Sequence, residues 1–235
     1  MKEPVIWNLD VPPVSVEDLL QAQQGVNAKR PPRPNILKLN QKILEEAGNL
    51  VRPILIWKEA EISGAGTDEL YLKEGPVLKS KLLAKVAGTA DQLILYGMTI
   101  GDELERRITE YNQEGKMLEA FTLDTAGSVF LAKSTVSFIH KLGENYKRRG
   151  MALTFPMGPG HSYWEDLEDL GRIINYIDGE KIGISLTTSN LMMPRKSLAF
   201  VMGAGQTLPD FEGKTHCDFC SIKKTCKMRG IEGKC

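Results

Sequence analysis

Residues 150–164 read GMALTFPMGPGHSYW: a short apolar run, then a glycine-rich loop, then two bulky aromatics. Met151 to Phe155 predicts a strand. The loop Pro156-Met157-Gly158-Pro159-Gly160-His161 follows, and its glycines tolerate positive φ and let a ligand approach the backbone closely. From Trp164 to Tyr176 apolar residues recur at helical spacing. Ser162 or a neighbour would cap that helix, and Glu165 and Asp166 would form its acidic first turn. Taken alone, such a loop is more often a plain turn than a ligand site, and no P-loop or G-x-G-x-x-G fingerprint is present. His161, Tyr163 and Trp164 do set a titratable ring and two large flat surfaces beside the glycines.

Outward from this unit, Ile182 to Thr187 and Ser197 to Gly203 read as strands. Upstream, Met117 to Leu142 predicts a long helix that is apolar on one side, and Asp102 to Tyr111 a shorter one. QLILYGMTIG, Gln92 to Gly101, has the character of a buried strand running into a glycine-lined turn. Ser80 to Ala87 predicts a helix. Ile54 to Trp57 and Glu69 to Leu72 read as paired strands around a turn at Gly64 and Gly66. Asn35 to Val51 has helical spacing that stops at Pro53. Residues 1–34 form an extended arm with a short helix from Val16 that Ser15 caps, and the run KRPPRPN, Lys29 to Asn35, ends its regularity. Helices alternating with few, separated strands predict an α+β domain over residues 35–205, a mixed sheet flanked by helices.

The 235 residues are 42% hydrophobic and 26% charged, enough for one sizeable core. Lys plus Arg and Asp plus Glu both number 30, so the net charge is zero and exerts no long-range pull on nucleic acid or an anionic membrane. No apolar stretch is long enough for a spanning helix, and the opening MKEPVIWNLDVPP is too polar for a signal peptide. A cytoplasmic location is expected.

All four cysteines fall in residues 206–235, as HCDFCSIKKTCKMRGIEGKC: Cys217, Cys220, Cys226 and Cys235. Disulfides that staple a secreted domain are usually spread along the chain, so the clustering predicts a metal-binding tail. A C-x-x-C pair lets one turn of backbone present two sulfurs to one centre. The C-x-x-C-x5-C spacing favours a [4Fe–4S] cluster, with zinc as the alternative and unligated thiols as the third reading. His216 could replace one cysteine but reads more readily as a solvated neighbour.

The order of segments from Gly150 to Gly205 resembles the activation domain of cobalamin-dependent methionine synthase and its free-standing bacterial relatives. In that family a strand leads to an Arg-x-x-x-Gly-Tyr motif that holds S-adenosylmethionine. A helix, a strand reading G-[VIL]-x-L-T-E-S and a P-x-x-S-V segment follow. Here the corresponding runs are Met157-Gly158-Pro159-Gly160-His161, the helix, Gly183-Ile184-Ser185-Leu186-Thr187-Thr188-Ser189, and NLMMPRKS from Asn190 to Ser197. Upstream LILYGMTIGDELERRI and LDTAGS, Leu123 to Ser128, are similar to the free-standing relatives, as is the short cysteine-rich tail. The family's arginine falls on Pro156, its tyrosine on His161 and its glutamate on Thr188. Proline has neither charge nor N–H, so the guanidinium contact is lost. The resemblance thus implies the scaffold and docking on a corrinoid protein more than it implies S-adenosylmethionine binding.

What the resemblance implies is an accessory protein of a corrinoid-dependent methyltransferase system. It would dock on a corrinoid-binding protein or methyltransferase and help return its cobalt to the active state. Gly158, Pro159, Gly160, His161 and Tyr163, with Thr187, Thr188 and Ser189, would face the cobalamin. His161 would be either a cobalt ligand or a satisfied loop side chain. Two other classes stay open: an iron–sulfur or corrinoid-using reductase or methyltransferase with a repurposed pocket, and a non-catalytic assembly protein with zinc in its tail.

Overall fold

The apolar run Gln92–Thr99 becomes the central strand of the protein (β5) because its residues have apolar neighbours on both faces. Leu93 and Leu95 point to one face, and Ile94, Tyr96 and Met98 to the other, all buried. The computed structural model describes residues 3–24 and 32–229. Lys29 to Pro31 of the proline-rich run therefore lie outside the described residues.

Before β5 come β1 (Val5–Asn8), α1 (Val16–Gln24), α2 (Pro34–Leu50), β2 (Ile54–Ala65), β3 (Glu69–Leu72), β4 (Leu78–Lys79) and α3 (Lys81–Ala87). After it come α4 (Glu103–Gln113), α5 (Met117–Arg148), β6 (Ala152–Leu153), α6 (Glu168–Tyr176), β7 (Ser185–Leu186), β8 (Met192–Met193) and β9 (Ser197–Gly205). The main sheet runs β4-β3-β2-β5-β9-β6, and β1 pairs with the first half of β2.

Among the described residues every pairing is antiparallel, which corrects the expected mixed sheet. A helix between two strands reads the same in sequence whether the chain returns parallel or antiparallel. Here β5 and β9 are direct neighbours in full register, Gln92 opposite Ala204 and Thr99 opposite Ser197, although the long excursion through α4, α5 and α6 separates them. β2 is also three times the expected length. It continues past Trp57 to Ala65, because its first part pairs with β1 and its last part with β3.

One face of the sheet is covered by α3 and α6, through Leu82, Leu83, Val86, Leu170, Ile173 and Ile174. The other is covered by the second half of α5, through Phe138, Leu142 and Tyr146. The first half of α5 extends beyond the sheet and packs with α1, α2 and α4 around Leu19, Ile43, Leu104 and Leu123. Each buried aliphatic of this kind contributes roughly 1.5–3 kcal/mol.

Hydroxyl caps fix the starts of α1 and α3. Ser15 and Asp18 cap α1 reciprocally: the Asp18 N–H donates to Ser15 Oγ at 3.1 Å and the Ser15 N–H to Asp18 Oδ2 at 2.8 Å. Ser80 Oγ accepts the Leu83 N–H at the start of α3.

The α2–α4 contact carries a charged network. Glu46 accepts from Arg107 Nε and from the Tyr111 hydroxyl, both at 2.6 Å. Burial alone would raise the Glu46 carboxyl, but the hydrogen bonds from Tyr111 and Arg107 outweigh it and hold the pKa below the ordinary 4.5. A depressed folded pKa contributes stability that is complete above 4.5 and is lost as the pH falls through the folded value. Glu46→Gln is therefore expected to lower the urea midpoint at neutral pH, and the gap to wild type should narrow well below pH 4.5. A gap independent of pH would remove the carboxylate from this account.

Candidate functional site

After β6 the chain runs along β9 without remaining a regular strand. The Thr154 N–H donates to Gly203 O at 2.9 Å, and Met157 and Val201 exchange both backbone hydrogen bonds, at 2.9 and 2.7 Å. Pro156, between them, has no N–H to give, so the strand expected over Met151 to Phe155 shrinks to Ala152–Leu153 plus one isolated bridge. This hugging course brings Gly158 onto the β9 backbone. A Cβ at Gly158 would lie 2.6 Å from Ala199 O and 3.0 Å from the Phe200 ring, so only hydrogen fits. Gly160 has φ +89°, and its N–H donates to Trp164 O at 2.8 Å, which closes the loop on itself.

The loop is held from below by one carboxylate. Trp164 is 2% exposed and donates its Nε1–H to Asp169 Oδ2 at 2.9 Å. The same oxygen accepts the Lys79 N–H at 2.7 Å, and Oδ1 accepts Arg172 Nη1 at 2.6 Å. Asp169 is fully buried and ties the loop to β4 and α6 at once.

Helix α6 begins at Glu168, four residues later than the periodicity indicates, because Trp164 is used as the loop's anchor. Ser162 is not its cap. Its hydroxyl oxygen accepts the Ser221 N–H at 2.8 Å and lies 3.8 Å from Cys220 Sγ, so Ser162 fastens the cysteine tail to the loop.

Above the loop, His161 stacks flat on Tyr163, with ring centroids 5.2 Å apart and planes at 3°. His161 also meets Phe200 at 5.5 Å and His216 at 5.7 Å. His216 lies on a short 3-10 turn, His216–Phe219, and is only 5% exposed, which corrects its reading as a solvated neighbour. Phe211 and Phe219 of the tail close on Phe155, at 5.5 and 5.7 Å. Sequence reasoning found His161 and Tyr163, did not name Phe200, and did not join His216 to them. Phe200 and His216 lie far along the chain from the loop and meet it only because β9 runs beside it.

Thr187, Thr188 and Ser189 belong to a different element. In place of a strand from Ile182 to Thr187 the chain makes a 3-10 turn, Gly179–Ile182, and the two-residue strand β7. The three residues form the exposed tip of the β7–β8 hairpin. The tip is held by Thr187 N–H to Leu191 O at 2.9 Å and Leu191 N–H to Thr187 Oγ1 at 3.0 Å. Asp124 of the LDTAGS run pairs with Lys196 Nζ at 2.9 Å and joins α5 to the start of β9.

A groove of about 870 Å³ opens at the β6 edge, between Ile139 and Lys147 of α5 and Leu208, Phe211 and Lys214 of the tail. Pro156 lines it and also lines a small internal cavity of about 20 Å³ beside Tyr96, Phe200 and His216. Cys217, Cys220 and Cys226 are half-buried thiols outside any disulfide. Among the described residues no three His, Cys, Asp or Glu side chains stand gathered as a ready metal site. Cys235 lies outside the described residues.

No protein-family model and no curated protein matches the chain. Its fold does have a counterpart among solved structures. The crystal structure of the MetH reactivation domain bound to AdoHcy is similar to it with a TM-score of 0.60, at 13% sequence identity, over 88% of this chain and 80% of that one. The class is therefore plain: this is a methionine synthase activation domain-like α+β fold, with an antiparallel sheet flanked by helices. Among the described residues no helix is long and apolar enough to cross a membrane.

Proposed function

We propose that this chain is an accessory protein of a corrinoid-dependent methyltransferase system, working in the cytoplasm. It would dock on a corrinoid-binding protein and support the reductive return of its cobalt to the active state. The observation that carries this reading is the extent of the fold likeness: nearly nine-tenths of the chain follows the MetH reactivation domain. The docking face would be the His161–Tyr163 stack on the glycine loop, with the Thr187–Ser189 hairpin tip as a second contact. The stacked His161 and Tyr163 rings would offer a flat surface able to exclude water from a reacting centre. Gly158 packed on Ala199 and Trp164 anchored on Asp169 keep that surface in one position.

S-adenosylmethionine fits this chain poorly at the family's arginine position. Pro156 occupies that place and offers neither charge nor N–H to a ligand carboxylate. The groove beside it has the size of a small-ligand site, with Lys147 and Lys214 on its lining, but no step is routed through a ligand there.

The test is a reconstitution. Purified protein is mixed with a corrinoid methyltransferase subunit poised as cob(II)alamin, together with a one-electron reductant and S-adenosylmethionine. Co-elution and faster loss of the cob(II)alamin signal than in the subunit alone are expected. No complex and an unchanged rate would overturn the proposal.

A further inference from the structure

We propose that the groove at the β6 edge binds a small organic anion with an apolar body, of the class of a medium-chain carboxylate. The groove holds about 870 Å³, and small-molecule sites run from about 300 to 1,000 Å³ with mostly apolar walls and a few charged groups. One wall is α5, through Ile139, Gly143 and Lys147. These positions are four residues apart, so they form one line along the helix. The tail makes the other wall, and Leu153 and Phe155 of the sheet edge lie between the two.

Two observations beyond size point to a ligand. The first is Gly143. A glycine inside a helix destabilises it relative to alanine, so it usually has a packing reason. The other glycine of α5 has one: a Cβ at Gly127 would meet Leu104 at 3.0 Å. At Gly143 a Cβ would meet nothing within 4 Å. What its missing side chain leaves open is the middle of the groove wall. The second observation is charge. Lys147 from the helix and Lys214 from the tail both line the groove, and among the described residues neither ammonium holds a carboxylate. Asp210 also lines it, with its Oδ1 engaged by the Glu212 N–H at 2.7 Å. Two cations against one anion on an apolar trough favour an anion over a neutral molecule of the same length.

The tail wall is fixed in place. The Phe211 ring meets Phe155 at 5.5 Å, the Lys214 N–H donates to Phe211 O at 2.9 Å, and the Gln206 N–H donates to Asp91 Oδ2 at 3.2 Å. No residue from Gly158 to Trp164 lines the groove, so the site stands independently of the corrinoid reading.

The test uses the full-length protein with the fluorescent anion 8-anilinonaphthalene-1-sulfonate as probe and decanoate as competitor. Wild type is expected to bind the probe saturably, and decanoate to displace it. Decanol has the same chain without the charge and should compete about fivefold more weakly, the worth of one charge contact in water. S-adenosylmethionine, which carries a sulfonium cation, should not displace the probe. Gly143→Leu should fill the groove and weaken probe binding at least tenfold, with a urea midpoint at or above that of wild type. Lys147→Gln combined with Lys214→Gln should erase the preference for decanoate while decanol competes as before. Wild-type affinity in Gly143→Leu, equal competition by decanol and decanoate, or displacement by S-adenosylmethionine would overturn the proposal.

Discussion

Asp169→Ala is expected to lower the unfolding free energy by about 3–5 kcal/mol, the range for removing one partner of a buried charged network. The carboxylate is fully buried and satisfies three donors: Trp164 Nε1, the Lys79 N–H and Arg172 Nη1. The Arg172 side chain is 36% exposed and can turn to water, so most of the cost falls on the other two. Trp164 is 2% exposed and has no route to solvent without leaving its pocket. Each stranded buried donor costs about 1–3 kcal/mol. Asp169→Asn keeps one acceptor oxygen and should lose less. Urea unfolding followed by far-UV circular dichroism decides the matter: a midpoint shift worth under about 1 kcal/mol would show that Asp169 is not the anchor described. The same variant should expose Trp164 to quenchers in the folded state, because this bond fastens the loop to α6.

Gly158→Val should have the second largest effect, and for a different reason. The new Cβ would come within 2.6 Å of Ala199 O, an atom in the backbone of a strand paired with β5 along its whole length. That strand cannot yield, so the loop must lift. Overpacking of this kind costs about 1–3 kcal/mol, and the rigid neighbour puts Gly158→Val at the upper end. Gly160→Ala is the control. Its Cβ meets nothing closer than Leu167 at 3.5 Å, and only its φ of +89° is penalised. Backbone strain of that sort costs of order 1–3 kcal/mol but leaves the loop seated. Under the proposed function, Gly158→Val should abolish complex formation with a corrinoid subunit while Gly160→Ala weakens it only modestly. Equal binding by both variants would detach the loop from the docking face.

Much of the element list is legible in the sequence because it rests on local physics. The start of α1 follows from the Ser15 hydroxyl cap, α2 ends short of Pro53, and β5 is a continuous apolar run. Where a residue is taken up by a distant partner, the local signal misleads. Trp164 fits a helical face but is claimed by Asp169, so α6 starts late. Ser162 has the chemistry of a cap but is claimed by Ser221 of the tail. Ile182 to Thr187 has strand character, yet the chain breaks into a turn and a two-residue strand there.

The sequence by itself determined the class of fold, the glycine loop and the clustering of thiols, since composition, periodicity and spacing are properties of neighbours along the chain. Only the tertiary structure decided that the sheet is antiparallel throughout the described residues and that His216, Phe200 and His161 form one aromatic cluster. It also decided that the tail is laid over the loop. The reason is the same in each case. Strand direction and side-chain encounter are set by hydrogen-bond register and packing between segments far apart in sequence, and no local pattern encodes which of the compatible registers buries the most apolar surface.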